Sequence, residues 1–411
     1  MDKLGFHYYS DSDHYQRKHL HRWLPAWQEL GVSWLVLQAP STRAVPEFFL
    51  QGVKKAGIQP VLHFQLPTDS IPRVEDYQLL FKTYARWGVQ HVILFDRPNL
   101  RASWGADSWA QSELVERFLD RFLPLAESAL EAGLTPVFPP LAPGGDYWDT
   151  MFLRAGLSAL KRRASKPLLE KLVLSAWAAG NGHSLNWGVG GPERWPEAQP
   201  YSESADTEDQ RGFRIVDWYL TLSEAVLDER LPVFMLGLGG RAPEDEDPLA
   251  REMAMVRLLD GQDVEDCEPL PDEVLGGMFR LVPDGGEEGS AAGWYHEPGK
   301  PRPIVEAYRS LQGEAEAKTL DRFRFSHYLL LPVYDWGIAD WHLEVTRSYI
   351  KKHRPTVGFS LQEAARAEEV TVLGGQEHFS EEDINRLRTQ GCLVRRVEGD
   401  GTDIAAQLSA I

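Results

Sequence analysis

The sequence is poor in cysteine, in cationic side chains and in long apolar runs. Its two cysteines, Cys267 and Cys392, lie far apart in 411 residues, which argues against a disulfide framework or a cysteine-based zinc site. Lys and Arg number 43 against 61 Asp and Glu, for a formal charge of −18. Such a chain repels nucleic acid and anionic lipid, so neither is expected as a general partner. No apolar run approaches the roughly 18 residues of a transmembrane helix, so no membrane span is expected. The opening MDKLGFHYYSDSDHY lacks the apolar core of a signal peptide, so localisation is left open: cytoplasmic by default, cell surface if a leader was removed. Asp11-Ser12-Asp13 has neither the Gly turn nor the later Glu of a calcium loop. His14, His19 and His21 fall partly on different helix faces, so no metal is expected. No full dinucleotide fingerprint is present, and no cofactor is expected. The acidic run Glu244-Asp245-Glu246-Asp247 reads as a solvated loop.

What the sequence has is alternation. Apolar, strand-like runs recur at Leu4–Tyr9, Val32–Gln38, Ile58–Phe64, His91–Phe95, Leu134–Phe138, Leu172–Trp177, Pro232–Leu238 and Met278–Val282. Helical stretches are expected at His19–Leu30, Phe48–Ala56, Glu75–Trp87 and Gln111–Ala132, each followed by a Gly suited to a left-handed helix end. Strand after helix after strand, eight times over, fits a (β/α)8 TIM barrel better than an open doubly wound sheet. After Leu320 shorter strands and helices read as a small parallel α/β, Rossmann-like domain. Its expected elements include strands at His327–Tyr334, Val370–Gly375 and Cys392–Val397, and a helix begun by Ser380 with Asp383 in capping-box spacing. The domains are accordingly set at 1–319 and 320–411.

In a parallel barrel, function gathers at the carboxyl ends of the strands. The run His91–Phe95 breaks at Asp96-Arg97-Pro98-Asn99, where Pro98 biases Arg97 towards an extended conformation and holds a charged pair at the strand mouth. The long loops Pro139–Asp149, Ala178–Asp209 and Pro283–Pro303 carry Trp148, Trp187, Trp195 and Trp294, and Trp104, Trp109 and Trp177 lie near other strand ends. Asn181 and Asn186 are interleaved. Flat aromatic faces beside amides and carboxylates suit sugar rings, which present an apolar C–H face and a hydroxyl rim. The expected ligand is a polysaccharide or oligosaccharide. The expected contacts are His7, Tyr8, His63, Asp96, Arg97, Asn99, Trp104, Trp148, Trp177, Asn181, Trp187, Arg241 and Trp294.

With this strand order, the first 310 residues resemble a clan-A glycoside hydrolase, a family with Asn-Glu at the end of strand four and Glu at the end of strand seven. The matching positions are Asp96-Arg97-Pro98 and, within Val233–Gly240, Gly237. The resemblance implies a barrel in which Arg97 and Gly237 stand where the acid/base and the nucleophile belong. A retaining glycosidase needs two carboxyls about 5 Å apart. A permanently protonated guanidinium and a residue without a side chain supply neither. What remains is a carbohydrate-binding barrel without that mechanism, with Arg97 and Arg241 favouring an acidic glycan.

The segment Val370–Leu408 resembles a single bacterial cell-wall-binding repeat of type two, through Val370-Thr371-Val372-Leu373-Gly374-Gly375, the Ser-started helix and Val394-Arg395-Arg396-Val397-Glu398-Gly399-Asp400. Gly401-Thr402-Asp403 replaces the family's Arg-Tyr. Two other readings stand beside carbohydrate binding. One is an active glycosidase using Asp96 as acid and Asp146, Asp149, Glu193 or Glu244 as base. The other is an interaction or assembly protein whose barrel face receives another polypeptide. Oligomeric state is left open.

Overall fold

The structure, a computed structural model, describes residues 3–198, 208–283, 293–322, 324–334, 337 and 339–410, with the backbone alone over 314–322. The chain divides into two compact units, Met1–Arg309 and Ser310–Ile411. The helix Pro303–Arg322 runs through both this division and the expected boundary at 319/320.

The first unit is an eight-stranded parallel, nearly closed barrel. Its strands are β1 Leu4–His7, β2 Trp34–Gln38, β3 Gln59–Phe64, β4 His91–Leu94, β5 Thr135–Val137, β6 Leu174–Trp177, β7 Val233–Leu236 and β8 Val274–Arg280. They pair in the order β5-β4-β3-β2-β1-β8-β7-β6. The two ends of this order are joined by a parallel bridge between Val137 and Val173, beside which Ser175 Oγ donates to the Phe138 carbonyl at 2.7 Å. There the Phe138 N–H donates to the Val173 carbonyl at 2.8 Å and the Val173 N–H to the Pro136 carbonyl at 3.2 Å. Residues 136 and 138 share the side of β5 that faces β6, so the N–H that proline lacks is one the seam would otherwise use.

Four helices end in one repeated device. Gly31, Gly57, Gly88 and Gly133 all have positive φ, and the N–H after each reaches back five residues, as Val32 to the Trp27 carbonyl at 3.0 Å and Val89 to the Tyr84 carbonyl at 3.0 Å. These turns satisfy end carbonyls and aim the chain into the next strand.

Alternation along the strands sorts the barrel interior into layers. Val36, Val61, Ile93, Val137, Val173, Leu236 and Met278 form a buried apolar plug. Two residues further along β2, β3 and β8 stand Gln38, His63 and Arg280, so the layer above the plug is polar. The helices Asp149–Arg163, Ile215–Leu227 and Pro248–Leu259 and the small antiparallel pair β9 Tyr295–Glu297 and β10 Lys300–Pro301 also belong to this unit.

The second unit is a four-stranded parallel sheet: β11 Phe325–Leu330, β12 Thr356–Gly358, β13 Ala367–Leu373 and β14 Leu393–Val397, in the order β12-β11-β13-β14. Leu329, Leu331 and Leu373 on one face pack with Tyr349, Ile404 and Leu408 of two helices. Tyr328, Leu330 and Val372 on the other pack with Ala364, Ile384 and Leu387. Ser380 Oγ accepts from the Asp383 N–H at 3.1 Å while Asp383 Oδ2 accepts from the Ser380 N–H at 3.1 Å, closing the expected capping box. No helix of the described residues is long and apolar enough to cross a membrane.

Candidate functional site

A cavity of about 430 Å³ opens at the carboxyl ends of the barrel strands, a volume within the range of small-ligand sites. Its wall is assembled from the polar layer above the plug: His7 from β1, Gln38 from β2, His63 from β3, Asp96 and Arg97 after β4, Trp177 from β6 and Arg280 from β8, with Tyr8, Tyr9 and Gln65 beside them.

The charged pair reaches the wall through a bent backbone. Phe95 and Arg97 both adopt positive φ, 70° and 43°, which for non-glycine residues stores strain of roughly 1–3 kcal/mol each and concentrates at functional sites. The first bend sends the Phe95 ring outward, edge-on to Phe118 at 5.4 Å, and lets Asp96 take the inward place. The second is held by the Arg97 N–H donating to the Pro140 carbonyl at 2.9 Å and by Ser103 Oγ donating to the Arg97 carbonyl at 2.8 Å. Arg97, rather than lying extended as Pro98 predicts, is left-handed because these two anchors outweigh the local bias. Arg97 Nε donates to Asp96 Oδ2 at 3.0 Å.

Both histidines of the wall are held neutral. Burial pushes His7 well below the ordinary range, helped by Arg280 and then His63. Burial lowers His63 too, against the pull of Asp96 and of its hydrogen bond to the Phe95 carbonyl. His7 Nε2 accepts from the Gly237 N–H at 3.3 Å, which assigns its proton to Nδ1. The His7 ring stacks on Trp177 at 5.4 Å and 17°, and the Arg97 guanidinium lies 6.0 Å from the Trp177 ring centre.

Gly237, at the end of β7, has φ 65°, and a Cβ placed there would come within 2.6 Å of the Trp177 ring. The indole thus occupies the space that a side chain from this position would need. Asp96 is the only carboxylate in the cavity wall among the described residues. None of the four loop carboxylates considered as partners lines the cavity. Asp149 is fully buried, accepting from the Gly144 N–H, Gln210 Nε2 and the Tyr219 hydroxyl, and burial raises its pKa. Asp146 accepts from the Arg101 N–H at 2.8 Å. Glu193 is exposed on a short 3-10 turn, and Glu244 is exposed beside Arg241.

Of the expected contact residues, the cavity brings together His7, Tyr8, His63, Asp96, Arg97 and Trp177. The others lie elsewhere. Asn99 is buried and ties the β4 loop to the β5 loop, donating to the Ala142 and Tyr147 carbonyls and accepting from the Ala142 N–H. Trp104 is buried, with its Nε1 on the Pro98 carbonyl and the Arg117 and Arg121 guanidinia over its ring. Trp148 packs under Arg211, and Trp187 stacks on His183 and donates to Asp209 Oδ1. Trp294 is fully buried against Phe6, Phe279 and Tyr308. Asn181 is exposed in a left-handed turn, and Arg241 is exposed. The seven tryptophans therefore do not line one surface: Trp177 alone of them is in the wall.

Two wall residues, Gln38 and Arg280, carried a signal that could have found them. Each is a polar residue closing an apolar strand, in phase with the inward positions Val36 and Met278. No group of three or more His, Cys, Asp or Glu side chains among the described residues is placed to hold a metal ion. Both cysteines are free thiols.

No family model matches the chain, and no curated protein does. Among solved structures it is similar to a monomeric β-xylosidase from Caulobacter crescentus CB15, at 12% identity over 75% of this chain and 67% of that one, with a TM-score of 0.48. A glycoside hydrolase family 39 enzyme from Xanthomonas axonopodis pv. citri aligns at 13% identity over 76% and 67%, with a TM-score of 0.43. An endo-β-1,3-glucanase from Sorangium cellulosum aligns at 16% over 75% and 98%, with a TM-score of 0.41. These are likenesses of fold and carry nothing about chemistry.

Proposed function

We propose that the barrel mouth binds an oligosaccharide or the end of a polysaccharide and does not hydrolyse it by the retaining two-carboxylate route. The observation that carries this reading is the wall itself: an indole beside amides, imidazoles and guanidinia, with one carboxylate already engaged by Arg97. An indole offers a flat apolar surface to the C–H face of a sugar, and Gln38, Gln65 and the charged groups offer donors and acceptors to its hydroxyls. Hydrolysis would need a second carboxyl near Asp96. At strand seven the available space belongs to Trp177. In this reading Arg97 and Gly237 stand at the two positions where clan-A enzymes keep their glutamates.

The test is a glycan-array screen run beside a hydrolysis assay on the same glycans, with wild type and Trp177→Ala. Binding without turnover, reduced tenfold or more in the variant, is the expected result. Turnover would show that the working carboxylates lie elsewhere. Absence of both would turn attention to a polypeptide as the ligand of this face.

A further inference from the structure

We infer that the second unit carries a binding site of its own, for the zwitterion of an α-amino acid with an apolar side chain. The site is a cavity of about 300 Å³ on one face of the sheet. Its floor is made by His327 of β11, Glu369 and Thr371 of β13 and Arg395 of β14, in phase with Leu329, Leu373 and Val397 of the apolar cluster on that face. Tyr349 and His353 of the helix Asp340–His353 form its wall. The ladder sets two charges side by side. Thr371 stands opposite Arg395, and Glu369 opposite Leu393, so Glu369 and Arg395 are diagonal neighbours, roughly 7–8 Å apart at the backbone. Both are exposed, and neither has a hydrogen bond or an ion pair among the described residues. A bare anion here would meet Glu369, and a bare cation Arg395. A molecule with both charges on neighbouring atoms suits both, its carboxylate on the Arg395 fork and its ammonium on the Glu369 carboxylate.

The buried side of the cavity is short of hydrogen-bond partners. The Tyr349 hydroxyl lies 2.9 Å from Thr371 Oγ1 and 3.2 Å from His327 Nε2, and Thr371 Oγ1 lies 3.0 Å from the same Nε2. Burial lowers the pKa of His327; Glu369 opposes this, while His353 and Arg395 add to it. A neutral imidazole cannot satisfy all three contacts. With Nε2 as acceptor, two oxygen and nitrogen lone pairs face each other; with Nε2 as donor, one hydroxyl proton is left over. Thr371, opposite Arg395, is placed to give that spare proton to the carboxylate that Arg395 holds. His353 Nε2 is buried with no partner, a state that native structures avoid. The Tyr349 and His353 rings, 4.5 Å apart, and the exposed Leu393 supply the surface for an apolar side chain.

The experiment is calorimetric titration of the full chain with leucine and phenylalanine. Each is run beside the analogue that lacks its ammonium, isocaproate or hydrocinnamate, and the analogue that lacks its carboxylate, isoamylamine or phenethylamine. At least one of the two amino acids is expected to bind roughly tenfold or more tightly than both of its analogues. Glu369→Gln and Arg395→Gln, which alter exposed side chains, are each expected to weaken that binding roughly tenfold while leaving the thermal transition in place. Should either variant fail to fold, the ratio to the analogues in the wild type still decides. An analogue that binds as tightly as its amino acid would overturn the inference. Binding that both folded variants leave unchanged would overturn it too, because the amino acid would then sit elsewhere, and so would the absence of binding by both amino acids. The saccharide reading of the barrel is untouched by any of these results.

Discussion

The site turns on single residues whose backbone is out of the ordinary. Gly237 is the sharpest case, because its positive φ and the indole 2.6 Å from a notional Cβ are independent obstacles to any side chain. A left-handed alanine costs about 1–2 kcal/mol before any clash, so Gly237→Ala is expected to lower stability by about 2 kcal/mol or more. Denaturant unfolding, followed by tryptophan fluorescence, would measure it. An unchanged midpoint would mean the β7 end can relax away from Trp177. Sequence reasoning reached Asp96 and Arg97 because a charged pair interrupts an apolar run. It also reached His7, His63 and Trp177. It could not separate Trp177 from Trp294: one closes a strand and the other lies in a loop beyond one, and only the packing of Phe6, Phe279 and Tyr308 makes the latter a core residue.

At the scale of elements, local grammar carried far. The four Gly-ended helices and the eight apolar runs were legible because helix ends and buried strands are dictated by nearby residues. The Ser380–Asp383 box was legible for the same reason, and Ser380→Ala is expected to cost the second unit about 1 kcal/mol, read from its thermal or urea transition. No loss would show that Asp383 alone sustains the helix start. Elements set by distant packing left fainter marks. The helix Asp149–Arg163 begins at a buried carboxylate whose partners, Gln210 and Tyr219, lie far along the chain, and nothing near residue 149 announces them. Likewise the strand β8 begins at Val274, earlier than the apolar run at Met278, because Gly276 and Gly277 pack closely against Trp34, Leu238 and Leu259 where hydrophobicity gives no cue.

For the whole molecule, acidity is not spread evenly in its effects. Glu252 accepts from Trp294 Nε1 at 2.9 Å, and burial pushes its carboxyl up to about 7 from 4.5. Between those values the folded protein keeps a proton that the unfolded chain releases. Stability is therefore greatest below the unfolded value and falls as pH rises through about 7, by about 3 kcal/mol at most. Glu252→Gln, which retains an acceptor for the indole, is expected to flatten that part of the pH–stability curve in urea titrations from pH 4 to 8. An unaltered slope would assign the proton elsewhere. The seam of the barrel has its own consequence. The strands most distant in sequence, β1 and β8, pair along the whole of β1, while the neighbours β5 and β6 share one backbone bridge, at Val137 beside Pro136 of β5. The thinnest backbone pairing of the ring thus falls between strands joined by a far shorter stretch of chain than β1 and β8, where closure costs the least entropy: a ribbon curled until its ends touch.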